Sequence, residues 1–460
     1  MCKYLEKGQG NVQLIVVAVV ITAIVVGLGT YLVTPKGGGE EKEVTVSGVK
    51  EFISGASSST IRDILSVVPK RVIKQAAEEE PSRTIKIGAT ISKTGKYATT
   101  AAGLSELYKA WEKEINQRGG IYVEEYGTRL PVKFIQYDDQ SKTSQITKFY
   151  NKLAQDDEVD MMLGPYSSNL NIPAATVAEK EGIPMITGPA GAPPIYKNKE
   201  WISSVIPTLV DIEKPYFEMM SKMAEEGKVE TVSIVAEDTP FGKGLMAGAE
   251  KYFSQMGVEI VYKTTAPEDT KNFSPILQKV ESANADILYL SALPPFGSTF
   301  IKQYESKGLY HKGAFCFSTN YKALVESVGA DTLNHWVGWF HWLPSMPYHG
   351  QWGKETWVSL MNEAGFKNEA KPLHILQYAC LESFKAAIEK AGTLEKSEIQ
   401  KAINKVSLQT VAGEVHYEDQ GDLNNIGTLY QYPVQRQDGE FAILWPERVA
   451  TGEYIYSMPK

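Results

Sequence analysis

The length and composition of the chain are typical of a multidomain globular protein. Its 460 residues exceed the size of one compact core and predict roughly two or three domains. Hydrophobic residues make up 43% and charged residues 22%, and the formal net charge is −8. Because phosphate binding needs clustered Lys and Arg, this acidic balance without a long basic run argues against nucleic acid as the main partner.

The N-terminal region carries a candidate membrane anchor. Residues 14–33 form an uncharged apolar run after a short tail, residues 1–13, and about 20 such residues are enough to cross a bilayer. Lys3 and Lys7 precede the run and favour a cytoplasmic N-terminus, which would put the rest of the chain outside the cell membrane. A cleavable secretory signal is the alternative, but the run exceeds a usual signal core and no A-x-A site follows it. Residues 34–83 begin with a Gly-rich charged linker and are interpreted as a linker and stalk.

The tail before this run also resembles a processing signal. Residues 6–10, Glu-Lys-Gly-Gln-Gly, are similar to the pilin-type signal of archaeal surface proteins, which implies cleavage after Gly8. The apolar run would then remain on the mature protein as its anchor. Whether the N-terminus is cleaved is left open by the sequence.

From residue 84 onward, strand and helix patterns alternate. Such alternation is typical of parallel βαβ units in sheets that are covered on both faces. The predicted strands are 85–91, 132–137, 161–163, 184–187, 232–236, 259–262, 287–290 and 314–317. The later helices are predicted at 211–225, 243–256, 273–282, 297–307, 321–328, 353–364, 373–391 and 396–404, and the segment 414–450 is β-rich.

No enzyme signature survives inspection. The Gly-containing segment 88–97 has too many residues between its glycines for a phosphate-binding loop, and Tyr97 replaces the Ser or Thr that would bind Mg²⁺. There is no GxSxG and no HExxH motif. Asp138 and Asp139 follow a strand and are better explained as helix caps than as an acid pair. We therefore predict a protein that is not an enzyme and has no cofactor and no metal.

The three cysteines give no metal or redox motif. Cys2, Cys316 and Cys380 include no CxxC pair, which excludes zinc ribbons and thioredoxin-like sites. Spacing leaves open a disulfide between Cys316 and Cys380, and we favour two unlinked buried thiols.

One stretch has the form of a ligand site. Residues 161–163 read as a short strand that ends at Gly164-Pro165, and a hydroxyl-rich loop, Tyr166 to Asn169, precedes a helical pattern. In open α/β sheets, ligands bind at the carboxyl ends of strands, where a helix start offers free amide groups.

A series of short motifs then identifies a family. The motifs occur in a fixed order at 92–98, 116–121, 137–139, 164–168, 181–184 and 241–244. In this order and spacing they resemble the substrate-binding proteins of branched-chain amino-acid ABC transporters, and the resemblance covers the chain from Thr84 to its end. It implies a type I periplasmic-binding fold, in which two Rossmann-like lobes with parallel sheets are joined by three hinge crossovers and close on a ligand.

On this basis lobe 1 is predicted at 84–206 plus 344–412, and lobe 2 at 207–343 plus 413–460. The crossovers are expected near 202–208, 342–348 and 412–416.

The resemblance also implies which residues bind the ligand. The loop Tyr166, Ser167, Ser168 and Asn169 and the loop around Pro189, Ala190 and Gly191 match segments that bind the ligand's polar head. Tyr97 and Phe241 match aromatic walls, and Thr319 and Asn320 match the loop that supplies an acid for the ammonium of amino-acid ligands.

The chain departs from the amino-acid binders at two points. No Asp or Glu lies within 317–323, and Gly191 stands where those proteins have a hydroxyl. Because burying an ammonium without a carboxylate partner costs several kcal/mol, a carboxylate or amide ligand without an amine fits at least as well as an amino acid.

The expected function is therefore extracytoplasmic capture of a small polar organic ligand by hinge closure. Delivery would be to an ABC permease and its ATPase subunits, from a single-pass protein anchored through residues 14–33. A ligand-sensing receptor ectodomain and a pilin-like surface subunit remain as alternatives. Ligand identity, oligomeric state and the resting form are not determined by the sequence.

Overall fold

The computed structural model describes residues 31–33, 42–44, 83–343, 346–366 and 372–459. The tail, most of the predicted anchor and most of the stalk lie outside these residues. Strand β1 (Tyr31–Val33) pairs antiparallel with β2 (Lys42–Val44), so the last three residues of the predicted transmembrane helix form a strand instead. Among the described helices, none is both long enough and apolar enough to span a bilayer.

The first sheet contains eight strands among the described residues. They are β3 (Ile85–Ile91), β6 (Val132–Asp138), β7 (Met161–Leu163), β8 (Met185–Thr187), β9 (Ile202–Ser204), β15 (Ser407–Thr410), β16 (Gly413–Gln420) and β17 (Leu423–Gly427). Their order is β15-β16-β17-β9-β8-β7-β3-β6, and every pair from β17 to β6 is parallel. Strands β7, β8 and β9 are buried throughout, as expected for a parallel sheet with both faces covered.

The second sheet has seven described strands in the order β11-β10-β12-β13-β14-β18-β19. They are β10 (Thr231–Glu237), β11 (Glu259–Ala266), β12 (Ile287–Ser291), β13 (Gly313–Cys316), β14 (Val337–Phe340), β18 (Tyr432–Gln437) and β19 (Glu440–Ile443). The first five are parallel, and β18 and β19 add an antiparallel edge. The fold is thus α/β with two mixed, mostly parallel sheets, as predicted.

Helices follow most of the parallel strands. They are α1 (Ala98–Ala101), α2 (Leu104–Gln117), α3 (Thr143–Gln155), α4 (Ser168–Glu181), α5 (Lys214–Glu225), α6 (Pro240–Gln255), α7 (Ser274–Ala283), α8 (Pro294–Ser306), α9 (Lys322–Val328), α10 (Lys354–Glu363), α11 (Pro372–Ala391) and α12 (Lys396–Ile403). The start of helix α6 carries two signals that can be recognised in the sequence. The Thr239 side chain accepts a hydrogen bond from the Gly242 N–H, and Pro240 occupies the first turn.

A small hairpin is formed by β4 (Ile121–Val123) and β5 (Thr128–Leu130), joined by a 3₁₀ turn at Glu124–Tyr126. It follows the predicted Gly119-Gly120 helix stop, and Gly119 and Gly120 both have positive φ.

Three connections join the two sheets, and one of them differs from the prediction. The first begins after Ser204 and the second after Phe340, close to the expected positions. The third was expected at 412–416, but β16 and β17 belong to the first sheet, so this crossover is the short segment 428–431 between β17 and β18. The lobe boundary predicted at residue 412 therefore differs from the observed division between the two sheets. The sequence of a β-rich tail does not indicate which sheet each of its strands joins.

The core of the second lobe contains the first of the two described cysteines. Cys316 lies in an apolar cluster with Phe296, Phe300 and Trp336. Cys316 and Cys380 are both buried and unlinked, as expected, and burial raises the pKa of both thiols.

Candidate ligand-binding site

The loop between β7 and α4 has an unusual backbone at Ser167. Its φ of 72° and ψ of 150° lie in a region that is essentially restricted to glycine, and such conformations concentrate at functional sites. The Asn171 side-chain amide stabilises the loop by donating to the Pro165 carbonyl at 2.6 Å and to the Ser167 carbonyl at 2.8 Å. The result is a fixed loop at the positive end of a helix.

The loop after β8 lies against the first crossover. The Leu209 N–H donates to the Gly191 carbonyl at 2.7 Å. A Cβ atom at Gly191 would lie 3.0 Å from the Pro207 carbonyl oxygen and 3.1 Å from the Leu209 nitrogen. This close backbone approach explains why the hydroxyl of the amino-acid binders is replaced by glycine here.

Both loops border one narrow cavity between the two sheets, and its volume of about 20 Å³ leaves room for roughly one water molecule, so a larger molecule enters only if the walls move apart. The cavity receives side chains or backbone from both lobes and from two of the crossovers. Its lining residues are Tyr166, Ser167, Pro189, Ala190, Gly191, Ile206, Leu209, Ile212, Phe241, Leu293, Phe317, Tyr321, Trp339, Leu373, Leu376 and Gln431. No Asp, Glu, Lys, Arg or His is among these described residues, so the cavity is uncharged and mostly apolar.

Aromatic rings form much of its wall. Phe317 packs edge-on against Phe241 with ring centroids 4.8 Å apart, and its centroid is also 4.8 Å from that of Trp339. Tyr321 lies 6.1 Å from Trp339, centroid to centroid. Such interlocked rings give a rigid surface suited to a flat or branched apolar group.

Several buried polar atoms in this wall lack a hydrogen-bond partner within the described part of the chain. They include the indole nitrogen of Trp339 and the amide oxygen of Gln431. The hydroxyl oxygens of Tyr166 and Ser167 also lack a partner at hydrogen-bond distance, although each lies near a tyrosine hydroxyl, that of Tyr321 and that of Tyr97 respectively. Because buried polar groups in folded proteins are nearly always paired, such groups in a cavity wall are available to a bound ligand or an ordered water. Burial also raises the pKa of Tyr166 well above its usual range, so its hydroxyl stays protonated and can donate.

The structure gathers six of the eleven predicted binding residues at the cavity. Tyr166, Ser167, Pro189, Ala190, Gly191 and Phe241 line it. The other five are Tyr97, Ser168, Asn169, Thr319 and Asn320.

Three of those five lie nearby in the first lobe. Tyr97 packs edge-on against Tyr166 at 5.0 Å, but it lines an outer groove, together with Asn169. Ser168 is fully buried, and its hydroxyl oxygen has no partner within the described residues.

The loop 317–321 contributes different residues from those predicted. Thr319 and Asn320 do not line the cavity, and the Asn320 side-chain amide donates to the Trp339 carbonyl. Phe317 and Tyr321 face the cavity instead. The role of this loop in ligand binding stays a prediction, and the resemblance did not indicate which of its side chains line the cavity.

Trp339 and Gln431 were not predicted as binding residues. The sequence signal for Trp339 is an aromatic run, Trp336, Trp339, Phe340 and Trp342, but such a run fits core packing as well as a binding wall. Gln431 lies in the third crossover, whose predicted position was wrong.

A buried acid lies next to the cavity without lining it. Glu237 accepts hydrogen bonds from the Leu293 N–H at 3.0 Å and from the Thr239 hydroxyl at 2.8 Å. Burial raises its pKa to about 7, and these hydrogen bonds oppose the rise. Both carboxylate oxygens are thus used within the second lobe.

The lobes also meet through an ion pair beside the outer groove. The Lys96 ammonium, in the loop after β3, lies 2.7 Å from a carboxylate oxygen of Glu268, after β11, and both side chains are about two-fifths exposed. Lys96 also lies over the Tyr97 ring at 4.9 Å. The two lobes are therefore in contact at this edge of the outer groove.

Comparison with known proteins agrees with this geometry. Residues 84–440 match the family model described as periplasmic binding protein. A Leu/Ile/Val-binding protein homolog of Brucella melitensis is 25% identical over 359 residues, covering 77% of this chain and 92% of the relative.

Solved structures show the same fold. The branched-chain amino acid transporter substrate-binding protein LivJ of Streptococcus pneumoniae, in complex with isoleucine, has a TM-score of 0.66 at 16% identity and covers 79% of this chain and 100% of its own. A solute-binding protein of an ABC transporter from Rhodopseudomonas palustris, in complex with 4-hydroxybenzoate, has a TM-score of 0.64 at 20% identity and covers 81% and 98%.

The chain belongs to the periplasmic binding protein family. It is an extracytoplasmic solute-binding protein of the ABC-transporter type, and the family binds solutes rather than catalysing reactions. Within the described residues, no group of three or more His, Cys, Asp or Glu side chains could bind a metal ion.

Proposed function

We propose that this protein captures a small organic carboxylate that lacks an amine and delivers it to an ABC permease with its ATPase subunits. Residues 14–33 would anchor it to the cell membrane, with the globular part outside. Capture would occur by closure of the two lobes about the three crossovers.

The observation that carries this proposal is the chemistry of the cavity lining. Hydroxyls of Tyr166 and Ser167 and the start of α4 can donate to a carboxylate, and the remaining wall is apolar. No acid among the described lining residues could pair with an ammonium. An amino acid would therefore have to bury its amine unpaired, at a cost of several kcal/mol.

Matched ligand pairs test this directly. Full-length protein, purified in detergent, would be titrated with leucine and its amine-free counterparts 4-methyl-2-oxopentanoate and 4-methylpentanoate, with phenylalanine and its counterpart 3-phenylpropanoate, and with benzoate, and the melting temperature would be followed. A ligand at about one hundred times its Kd stabilises the folded state by about 2.7 kcal/mol. We expect stabilisation by amine-free acids and little by their amino-acid counterparts. Equal or stronger stabilisation by leucine or phenylalanine would refute the ligand class.

An α-amino acid is the second candidate because Glu237 is a buried carboxyl beside Leu293 and Phe241. If its side chain were released from Thr239 on binding, it could face an ammonium. In that case Glu237→Gln would abolish binding of leucine. With an amine-free ligand, the same substitution should leave the affinity within about threefold, because the amide oxygen can accept from the Leu293 N–H while the amide N–H donates to the Thr239 hydroxyl oxygen.

A further inference from the structure

A donor and an acceptor that have no partner among the described residues line the same cavity, near the end of the second sheet. The Trp339 indole nitrogen can only donate and the Gln431 amide oxygen can only accept, and both are buried in the cavity wall. In the antiparallel pairing of β14 and β18, Trp339 lies opposite Pro433. Gln431 directly precedes β18 and lies two residues before Pro433, which places it close to Trp339 in the chain pairing that ends there.

Both groups are fixed in place by their surroundings. The Trp339 ring packs between Phe317 and His341, with centroid distances of 4.8 Å to each, and the Asn320 amide donates to the Trp339 carbonyl. The Gln431 N–H donates to the Ile212 carbonyl at 3.2 Å, which ties the third crossover to the first. A ligand group that meets these atoms would thus bind a preorganised site.

These two atoms are supplied by a different part of the chain from the carboxylate-binding loop. Ser167 lies between β7 and α4 in the first lobe, whereas Trp339 is the penultimate residue of strand β14 in the second lobe and Gln431 lies in a crossover. The apolar walls surround both. The cavity therefore offers two polar positions to one ligand.

We propose that Trp339 and Gln431 form a second recognition point, specific for a hydroxyl on the apolar part of the ligand. A hydroxyl accepts one hydrogen bond and donates another, so it can satisfy the indole N–H and the amide oxygen together. A carboxylate or ketone only accepts, and it would leave the Gln431 oxygen unpaired. This inference rests on the proposed function, and it narrows the ligand class to hydroxylated carboxylic acids.

Benzoate, its three hydroxy isomers and terephthalate are suitable probes for the full-length protein. By calorimetry, we expect at least one hydroxybenzoate isomer to bind about tenfold more tightly than benzoate, since two buried hydrogen bonds are gained. Terephthalate, whose second polar group is an acceptor, should bind more weakly than that isomer. Equal affinity for benzoate and all three isomers, or tighter binding of terephthalate, would overturn the proposal.

Variants of Trp339 and Gln431 test whether these two residues cause the preference for a hydroxylated ligand. Trp339→Phe removes the indole N–H and keeps a ring, and Gln431→Met keeps the length of the side chain without its polar atoms. Each should reduce the ratio of benzoate to hydroxybenzoate Kd values toward one. Trp342→Phe is the matched control, because the Trp342 indole nitrogen is also buried without a partner among the described residues but does not line the cavity. Its ratio should match that of the wild type.

These measurements distinguish failure of the hydroxyl site from failure of the proposed function. If amine-free acids bind but no variant changes the ratio, the hydroxyl site is wrong and the proposed function stands. If neither benzoate, its derivatives nor the aliphatic acids bind, the proposed function itself fails, and the hydroxyl site with it.

Discussion

Replacing Ser167 with glycine should make the ligand-free protein more stable and its ligand binding weaker. The backbone of Ser167, at φ 72° and ψ 150°, is accessible to glycine without strain. Strain of this kind costs about 1 to 3 kcal/mol, and the greater flexibility of glycine in the unfolded chain returns about 0.4 to 1 kcal/mol of it. The expected net gain is about 1 to 2 kcal/mol.

The same substitution removes a hydroxyl that faces the cavity without a partner. A hydrogen bond to a charged carboxylate contributes about 1.5 to 3 kcal/mol, so the affinity for a bound acid should fall by about 10- to 100-fold. Higher stability without ligand together with weaker ligand binding, both from Ser167→Gly, is the result expected of a strained binding loop.

Thermal unfolding without ligand and calorimetry with benzoate measure the two effects. A gain of 1 kcal/mol raises the melting temperature of a medium-sized domain by about 2 to 4 °C. Ser167→Ala should weaken binding similarly without raising the melting temperature, because alanine keeps the strain. Asn198→Gly is the control for glycine itself, since Asn198 is exposed and also has positive φ, at 53°. A lower melting temperature for Ser167→Gly, or an affinity within twofold of the wild type, would contradict the reasoning.

Three further predictions concern closure, pH and the second-lobe loop. Lys96→Met or Glu268→Gln removes the ion pair between the lobes. Because exposed ion pairs contribute at most about 1 kcal/mol, ligand dissociation should accelerate by about fivefold or less in stopped-flow measurements. High salt should have the same effect on the wild type but not on the variants. Burial raises the pKa of Glu213 to about 8, and its hydrogen bond with Tyr289 opposes this rise. Because the pKa is higher in the folded than in the unfolded protein, the contribution of Glu213 to stability is complete below the unfolded pKa and is lost as the pH rises through 8. We therefore expect the melting temperature to fall from about pH 4.5, the usual pKa of a Glu, up to about pH 8, and Glu213→Gln to flatten that slope; an unchanged slope would assign it to other groups. Tyr321→Leu should weaken benzoate binding by about tenfold or more, whereas Thr319→Val should leave it within about twofold, because only Tyr321 lines the cavity.

Local patterns predicted most of the individual elements. The strand 85–91 and the helix 396–404 were placed within a residue of their observed ends, since alternating strand and helix periods and the glycine stops between them are local signals. Strand β14 was missed because its aromatic residues have no period that separates a strand from general packing. The third crossover was misplaced because the β-rich tail gives no indication of which sheet each strand joins.

In the binding site, too, some features follow from residue order and others only from the tertiary structure. The sequence by itself determined the family and the absence of an acid in 317–323, because these are properties of residue type and order, and it predicted two head-group loops. Only the tertiary structure decided that Phe317 and Tyr321, rather than Thr319 and Asn320, face the cavity. It likewise brought Trp339 and Gln431 together, since register between β14 and β18 connects residues more than ninety positions apart, and no local pattern carries that information.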